Sequence, residues 1–159
     1  GKPSRIIAKM NALLEPQIIR ALYAASGAGV KIDLIVRGVC ALRPGVKGLS
    51  YNIRVRSIIG RFLEHSRIFY FRSDGAHAIY LSSADWMDRN FFRRIEICFP
   101  VLEPKLKKRV LTEGLNIYLK DNTHAWEMDG DGNYHLGKIR RGKKLCAQEA
   151  LLTELAAAK

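Results

Sequence analysis

The sequence predicts an α/β domain, a mixed sheet flanked by helices, and three stretches carry that prediction. Arg5–Met10 (RIIAKM) and Lys31–Arg37 (KIDLIVR) are apolar runs of strand length, and between them lies a stripe of Ile18, Ile19, Leu22 and Tyr23 at helical spacing. Strand, helix, strand in that order is a crossover unit, whose two strands pair in parallel. The third stretch is antiparallel. His65–Phe71 and Ala78–Ser83 flank Ser73-Asp74-Gly75, and Asp-Gly between alternating runs is a hairpin signal.

The remaining elements follow in order. Glu15-Pro16 opens the first helix, with proline in the first turn where its missing N–H is no loss, and Gly27 ends it. Cys40–Tyr51 is a loop punctuated by Pro44, Gly45 and Gly48. A strand follows, with Ile53 and Val55 inward and Arg54 and Arg56 outward, then a short helical turn through Ile58, Ile59, Phe62 and Leu63. After the hairpin, Trp86–Phe92 is a tight segment and Arg94–Val101 an alternating strand. Glu103-Pro104 opens a second helix with a buried stripe of Leu106, Val110, Leu111, Leu115 and Tyr118, and Lys105, Lys107, Lys108 and Arg109 form its solvated face. Thr123–Gly137 reads as a hairpin around Asp129-Gly130-Asp131-Gly132; it lacks the later glutamate of a calcium loop. The basic run Lys138–Lys144 is expected to be mobile, and Ala147–Ala157 is a last amphipathic helix.

Composition bounds the partners. The chain has 159 residues, 27 Lys+Arg against 15 Asp+Glu, and a formal net charge of +12. Such an excess attracts polyanions: nucleic acid, nucleotides, inorganic phosphate chains or an acidic membrane surface. No apolar run approaches the ~18 residues of a membrane span, so a soluble protein is expected. The opening Gly-Lys-Pro, without an initiator Met, suggests a piece of a longer protein. Cys40, Cys98 and Cys146 are scattered with no CxxC spacing, which fits reduced, mostly buried thiols in a cytoplasmic protein and neither a zinc site nor a disulfide framework. Neither a GxxxxGK[ST] loop, a GxGxxG turn nor an HExxH pair occurs, so P-loop, Rossmann and zincin chemistry find no support. His77, His124 and His135 stand alone and read as surface histidines.

The chemistry points to one end of the sheet, because ligands of such sheets collect at the carboxyl ends of parallel strands. Lys9 and Asn11 end the first strand and Arg37-Gly38 ends the second, which makes Arg37 a candidate ligand-binding residue. Asn52–Arg72 carries Arg54, Arg56, Arg61, Arg67 and Arg72 around a single histidine, His65. Alternation places His65, Arg67, Phe69 and Phe71 on one strand face. An imidazole exchanges a proton near neutral pH, and a guanidinium grips oxyanions in a fork. The hairpin brings Ser82, Ser83 and Asp85 back beside His65 and Arg67, to within a residue or two, and Arg89 is expected to face the same corner. The pattern also fits a solvated polar strand edge, with Arg37 capping a strand and Ser83 or Asp85 capping a helix.

KMNALLEP, IDLIVRG, NIRVRSI, FLEHSRIFYF and YLSSADWMDRN, five blocks in order along the chain, resemble the carboxyl-terminal catalytic region of the bacterial polyphosphate kinase family. The resemblance implies a phospholipase D-like fold, one half of a two-half catalytic core. Residues 1–122 would be the second catalytic domain, with the 123–159 hairpin and helix appended to it. It implies reversible transfer of the ATP terminal phosphate to inorganic polyphosphate through a phosphohistidine in the half this chain lacks. His65 would match the family's second histidine, which donates a proton or steadies the leaving phosphate, and Arg37 an arginine on the nucleotide phosphates. Arg56, Arg67 and Arg89 join them as candidate ATP- and phosphate-binding residues. Magnesium ligands are expected outside the chain. The implied partners are ATP, ADP, polyphosphate and the enzyme's remaining domains, in a homo-oligomer, with no nucleic acid. The phospholipase D signature HxKxxxxD is broken here, with Arg67 and Arg72 in place of its Lys and Asp. The competing function is a phospholipase D-type nuclease or nucleic-acid-binding module, and a purely structural domain is the third reading.

Overall fold

Eight strands form one mixed sheet in the computed structural model, which describes residues 3–137 and 144–157. β1 (Ser4–Met10), α1 (Pro16–Gly27) and β2 (Lys31–Val36) are the expected crossover, with β1 and β2 parallel from Arg5↔Lys31 to Met10↔Val36. The Glu15 carboxylate caps α1 by accepting from Ile18 N, and Pro16 fills the first turn. β3 (Ile53–Ile58) adds parallel to β2. On the other side, β4 (Arg67–Ser73) runs antiparallel to β1 and pairs with β5 (Ala76–Ser82) in the register Arg67↔Ser82. Asp74 (φ 49°) and Gly75 (φ 83°) turn that hairpin, the two left-handed residues that a two-residue loop needs to match strand twist.

After α2 (Asp88–Phe92), β6 (Cys98–Pro100) closes one edge of the sheet. β7 (Ala125–Met128) and β8 (Tyr134–Leu136) close the other, β7 pairing with β3. The order is β6-β5-β4-β1-β2-β3-β7-β8. The sheet divides two cores. Ala8, Met10, Leu34, Val36, Val55 and Phe69 pack beneath α1, while Ile7, Ile35, Ile58, Ile68 and Tyr70 pack beneath the 104–120 helix and α5 (Ala147–Ala157). Alternate residues of β1 and β4 serve alternate cores, as the strand period requires.

Four expectations need correction. β3 runs on through Ile58 and residues 59–66 are irregular; Ile59, Phe62 and Leu63 are exposed, so no core stripe holds them in a helical turn. β4 begins at Arg67, which leaves His65 on the preceding loop. Only Cys98–Pro100 of the Arg94–Val101 stretch is strand. Ile95 is fully exposed there, and Glu96 turns inward to accept from Ser83 Oγ and from Asn90 Nδ2.

The fourth concerns the second helix, which is α3 (Pro104–Arg109), a π-helical turn (Val110–Asn116) and α4 (Ile117–Lys120) in succession. Gly114 lets this helix approach the sheet: a Cβ there would lie 2.4 Å from Ile68 Cδ1. Along it, Leu115 and Tyr118 are buried while Leu106 is half exposed, so the expected continuous stripe holds only in its second half. The run 138–143, most of the segment expected to be mobile, lies outside the described residues. Among the described residues, no helix is long and apolar enough to cross a membrane.

Candidate functional site

Three chain segments converge past the carboxyl ends of β1 and β2. Leu13 N donates to Val39 O, Ala41 N to Leu13 O, and Trp86 N to Ala12 O, so the loops after β1, β2 and β5 are tied together by main-chain bonds. Gly38 N donates to Asn11 O, and a Cβ on Gly38 would lie 3.1 Å from that oxygen; glycine permits the close approach. Above this floor is a cleft of about 330 Å³. Arg37, His65, Arg67 and Arg89 all line it, with Asn11 and Asp85.

Each side chain has an identifiable anchor. Arg67 is largely buried and grips Asp85 with its fork: Nε to Oδ1 at 3.2 Å and Nη2 to Oδ2 at 3.0 Å. Its Nη1 donates to the His65 carbonyl at 3.2 Å and lies 3.4 Å from His65 Nδ1. A guanidinium only donates, so this contact favours the tautomer with Nδ1 as acceptor and the proton on Nε2. Arg37 Nε donates to Asn11 Oδ1 at 3.1 Å. Asp85 also accepts from Asn11 N at 2.7 Å and Ala12 N at 3.3 Å. Burial alone would raise its pKa, but the Arg67 fork and these N–H groups outweigh it and hold the Asp85 carboxyl below the usual carboxylate range.

Electrostatically the cleft is a guanidinium site. One of its three arginines is neutralised by Asp85, and two are not. The terminal nitrogens of Arg37 and Arg89 have no hydrogen-bond or ion-pair partner among the described residues, and Arg89 is exposed. Asp85 is the one carboxylate lining the cleft, and both its oxygens are engaged by donors. The residues present therefore fit an oxyanion and offer a hard, oxygen-seeking cation no free carboxylate. Two guanidiniums beside an imidazole can bind a phosphate chain and exchange a proton with it.

Arg56 lies elsewhere. Its Nη1 donates to Tyr118 O at 3.2 Å and Leu119 O at 2.8 Å, and its Nη2 pairs with Glu127 at 3.0 Å. It binds the carbonyls at the end of the 104–120 helix to the sheet, beside Arg54 in a separate cleft. A larger cleft of about 690 Å³ opens beside α1 and α2, walled by Phe71, Tyr80, Trp86, Phe91 and Ile97. Its apolar lining suits a covering surface more than a phosphate. Asp121, His124 and Cys146, 25 residues apart in sequence at the extremes, bring ligating atoms within 4.8 Å of one another. The Asp121 oxygens are taken up by the N–H groups of Thr123, His124 and Ala147, which accounts for this trio as a chain junction.

Sequence reading missed the layer beneath His65. Lys9, only 3% exposed, donates to Glu64 Oε2 at 2.6 Å, and its ammonium sits 3.5 Å from the centroid of the Tyr118 ring. Burial lowers the Lys9 pKa, and Glu64 opposes the shift. Gln148 closes the group, its Nε2 donating to Glu64 Oε1 at 2.7 Å. A lysine in an apolar strand and a glutamate beside the lone histidine were visible signals. Their pairing, across 55 residues, was not.

The comparisons with known proteins agree with one another. The family model described as polyphosphate kinase C-terminal domain 2 matches residues 1–148. A polyphosphate kinase of Burkholderia multivorans is 67% identical over 143 residues, which is 90% of this chain and 20% of that protein. One of Neisseria meningitidis serogroup B is 66% identical over 134 residues, 84% of this chain and 20% of that protein. The crystal structure of polyphosphate kinase from Porphyromonas gingivalis superposes with a TM-score of 0.94 at 42% identity, over 99% of this chain and 24% of that one. The chain thus spans about a fifth of the length of the curated relatives it matches. Its mixed sheet flanked by helices is the phospholipase D-like fold expected of it. By sequence and by fold, the chain belongs to the polyphosphate kinase C-terminal domain 2 family.

Proposed function

We propose that the chain is the second catalytic domain, residues 1–122 with the 123–159 hairpin and helix appended, of an enzyme that reversibly transfers the ATP terminal phosphate to inorganic polyphosphate. The phosphohistidine forms in a segment outside this chain. The observation that carries the reading is the convergence of Arg37, His65, Arg67 and Arg89 on one cleft. Phosphoryl transfer is mostly a matter of position and of positive charge on the phosphate oxygens. In this reading Arg37 and Arg89 hold phosphate oxygens, and Arg67, already spent on Asp85, orients His65. With Nδ1 turned to Arg67, the neutral ring meets the leaving phosphate with its Nε2–H and steadies it by a hydrogen bond; only the imidazolium form of the ring would hand over a proton. Magnesium is held by residues outside the chain, consistent with the lack of a free carboxylate in the cleft. Membership of the polyphosphate kinase family and a net charge of +12 support ATP, ADP and polyphosphate as partners, in the cytoplasm. The remaining domains of the same polypeptide, in a homo-oligomer, cover apolar surface such as Ile95, Ile97, Phe91 and Phe92, exposed on a chain a fifth as long as its relatives. Diester hydrolysis is the weaker reading, since the signature lysine is replaced by an arginine tied to Asp85.

The test is His65→Ala in the intact polypeptide. Polyphosphate synthesis is lost while circular dichroism and melting temperature stay at the wild-type values, as expected for an exposed loop residue. Normal synthesis by this variant ends the assignment.

A further inference from the structure

His65 sits on a segment with almost no core of its own. Of residues 59–66, Glu64 alone is buried, and the rest are exposed. Something other than packing must fix the ring.

Arg67 touches the ring and its carbonyl, and the contacts that hold the segment beneath it come from the start of α5. The Gln148 side-chain amide pairs with the Phe62 main chain as a neighbouring strand would: Phe62 N donates to Oε1 at 2.9 Å, and Nε2 donates to Phe62 O at 2.8 Å. The same Nε2 also donates to Glu64 Oε1 at 2.7 Å. Glu64 is thereby held from two sides, by Gln148 through one oxygen and by Lys9 through the other. Gln148 is itself only 6% exposed, and Ala147 N before it donates to the buried Asp121 carboxylate at 2.7 Å. Gly60 makes room for the arrangement, since a Cβ there would lie 2.5 Å from Gln148 Oε1. A buried glutamine could merely satisfy nearby main-chain groups. This one satisfies the two residues on which the His65 position depends, Phe62 and Glu64.

We propose that Gln148 is a positioning residue for His65, holding the 59–66 segment through Phe62 and Glu64 so that the imidazole stays in the cleft beside Arg67. The inference rests on reading His65 as the phosphate-handling histidine. It gives the appended carboxyl-terminal helix a role in that site.

Two variants test it. Gln148→Ala removes the three bonds, and Gly60→Ala displaces the glutamine while leaving it in the chain. The first readout is the ring resonances of His65 in the 159-residue chain with nitrogen-15-labelled histidine, with His77 and His135 as internal controls. The second is kcat and KM for ATP in the intact polypeptide. In both variants the His65 signals broaden and move toward those of free histidine while the controls stay fixed. In both, kcat falls about 10- to 100-fold while KM changes by less than about 3-fold, the signature of a misplaced group rather than a lost ligand. His65 signals as sharp and as dispersed as in the wild type would overturn the proposal. Should Gln148→Ala not fold, Gly60→Ala decides alone, because its clash is with the end of one flexible side chain. If the wild-type polypeptide makes no polyphosphate, the functional reading falls, and the His65 resonances still decide whether Gln148 positions the ring.

Discussion

Arg67 and Asp85 form a two-pronged ion pair at 3.2 and 3.0 Å, and the one nitrogen it leaves over is the one that meets His65. The pair removes a charge from the cleft and fixes a direction in it. Breaking a buried pair costs about 3–5 kcal/mol because the remaining ion is left uncompensated. Asp85→Asn is therefore expected to destabilise the chain by that amount at pH 7. The pH dependence has a definite sign. The folded Asp85 pKa lies below its ordinary value, since Arg67 and the Asn11 and Ala12 N–H groups outweigh burial. Its contribution is then complete above the unfolded carboxyl pKa of about 3.9 and is lost as pH falls through the lower folded value. Urea unfolding of wild type and Asp85→Asn from pH 7 to pH 2 should show the two stabilities converging below about pH 4. A constant gap across that range would contradict the pairing.

Two arginines in one cleft should answer differently to the same substitution. Lysine cannot span both Asp85 oxygens and reach His65, so Arg67→Lys lowers stability by about 1.5–3 kcal/mol, the value of lost bonds to a charged group. Arg37 has one side-chain bond, to Asn11, and two terminal nitrogens free among the described residues. Arg37→Lys should leave the melting temperature nearly unchanged and weaken binding of inorganic tripolyphosphate. Calorimetry on both variants separates the effects.

Arg56 makes the opposite prediction from the one its place in an arginine-rich strand suggests. Its three contacts go to Tyr118 O, Leu119 O and Glu127. Arg56→Ala should cost about 1.5–3 kcal/mol of stability, by thermal unfolding, with tripolyphosphate affinity unchanged. A clear loss of affinity with no loss of stability would return Arg56 to the phosphate-binding set.

At Gly114 two effects oppose each other. Alanine gains about 1 kcal/mol of helix propensity, but the overpacking of a Cβ 2.4 Å from Ile68 Cδ1 costs about 1–3 kcal/mol. Ile68 is buried and has little room to yield, so the overpacking wins. Gly114→Ala alone is expected to destabilise. Combined with Ile68→Val, which deletes the clashing methyl, it should be less destabilising than the sum of the two single changes.

Much of this was readable from the chain, for reasons that differ by element. The β1–α1–β2 crossover was legible because both strands are buried on two faces and so read as apolar runs, with Glu15-Pro16 marking the helix start. The Asp74-Gly75 turn announced the β4–β5 hairpin, though not its register. Arg94–Val101 misled because alternation is read as one buried face, and Ile95 and Ile97 are exposed on this chain. The π-helical turn depends on how closely Gly114 meets Ile68, a contact between residues 46 apart that periodicity does not contain. The same holds for the site. Arg37, His65, Arg67 and Arg89 could be proposed from strand ends and spacing. The Lys9–Glu64–Gln148 group beneath them joins three distant parts of the sequence; Lys9 and Glu64 were noticeable singly, but nothing in the spacing pairs them or points to Gln148.

The most direct measurement is a titration of the labelled 159-residue chain with inorganic tripolyphosphate, following the His65 ring nitrogens and the arginine Nε resonances. The expected result is concentration-dependent shifts at His65, Arg37 and Arg89 that weaken as salt is raised, with Arg54 and Arg56 unmoved. Shifts confined to Arg54 and Arg56 or to the Lys105–Arg109 face, with His65 silent, would contradict the cleft as the place where phosphate is held.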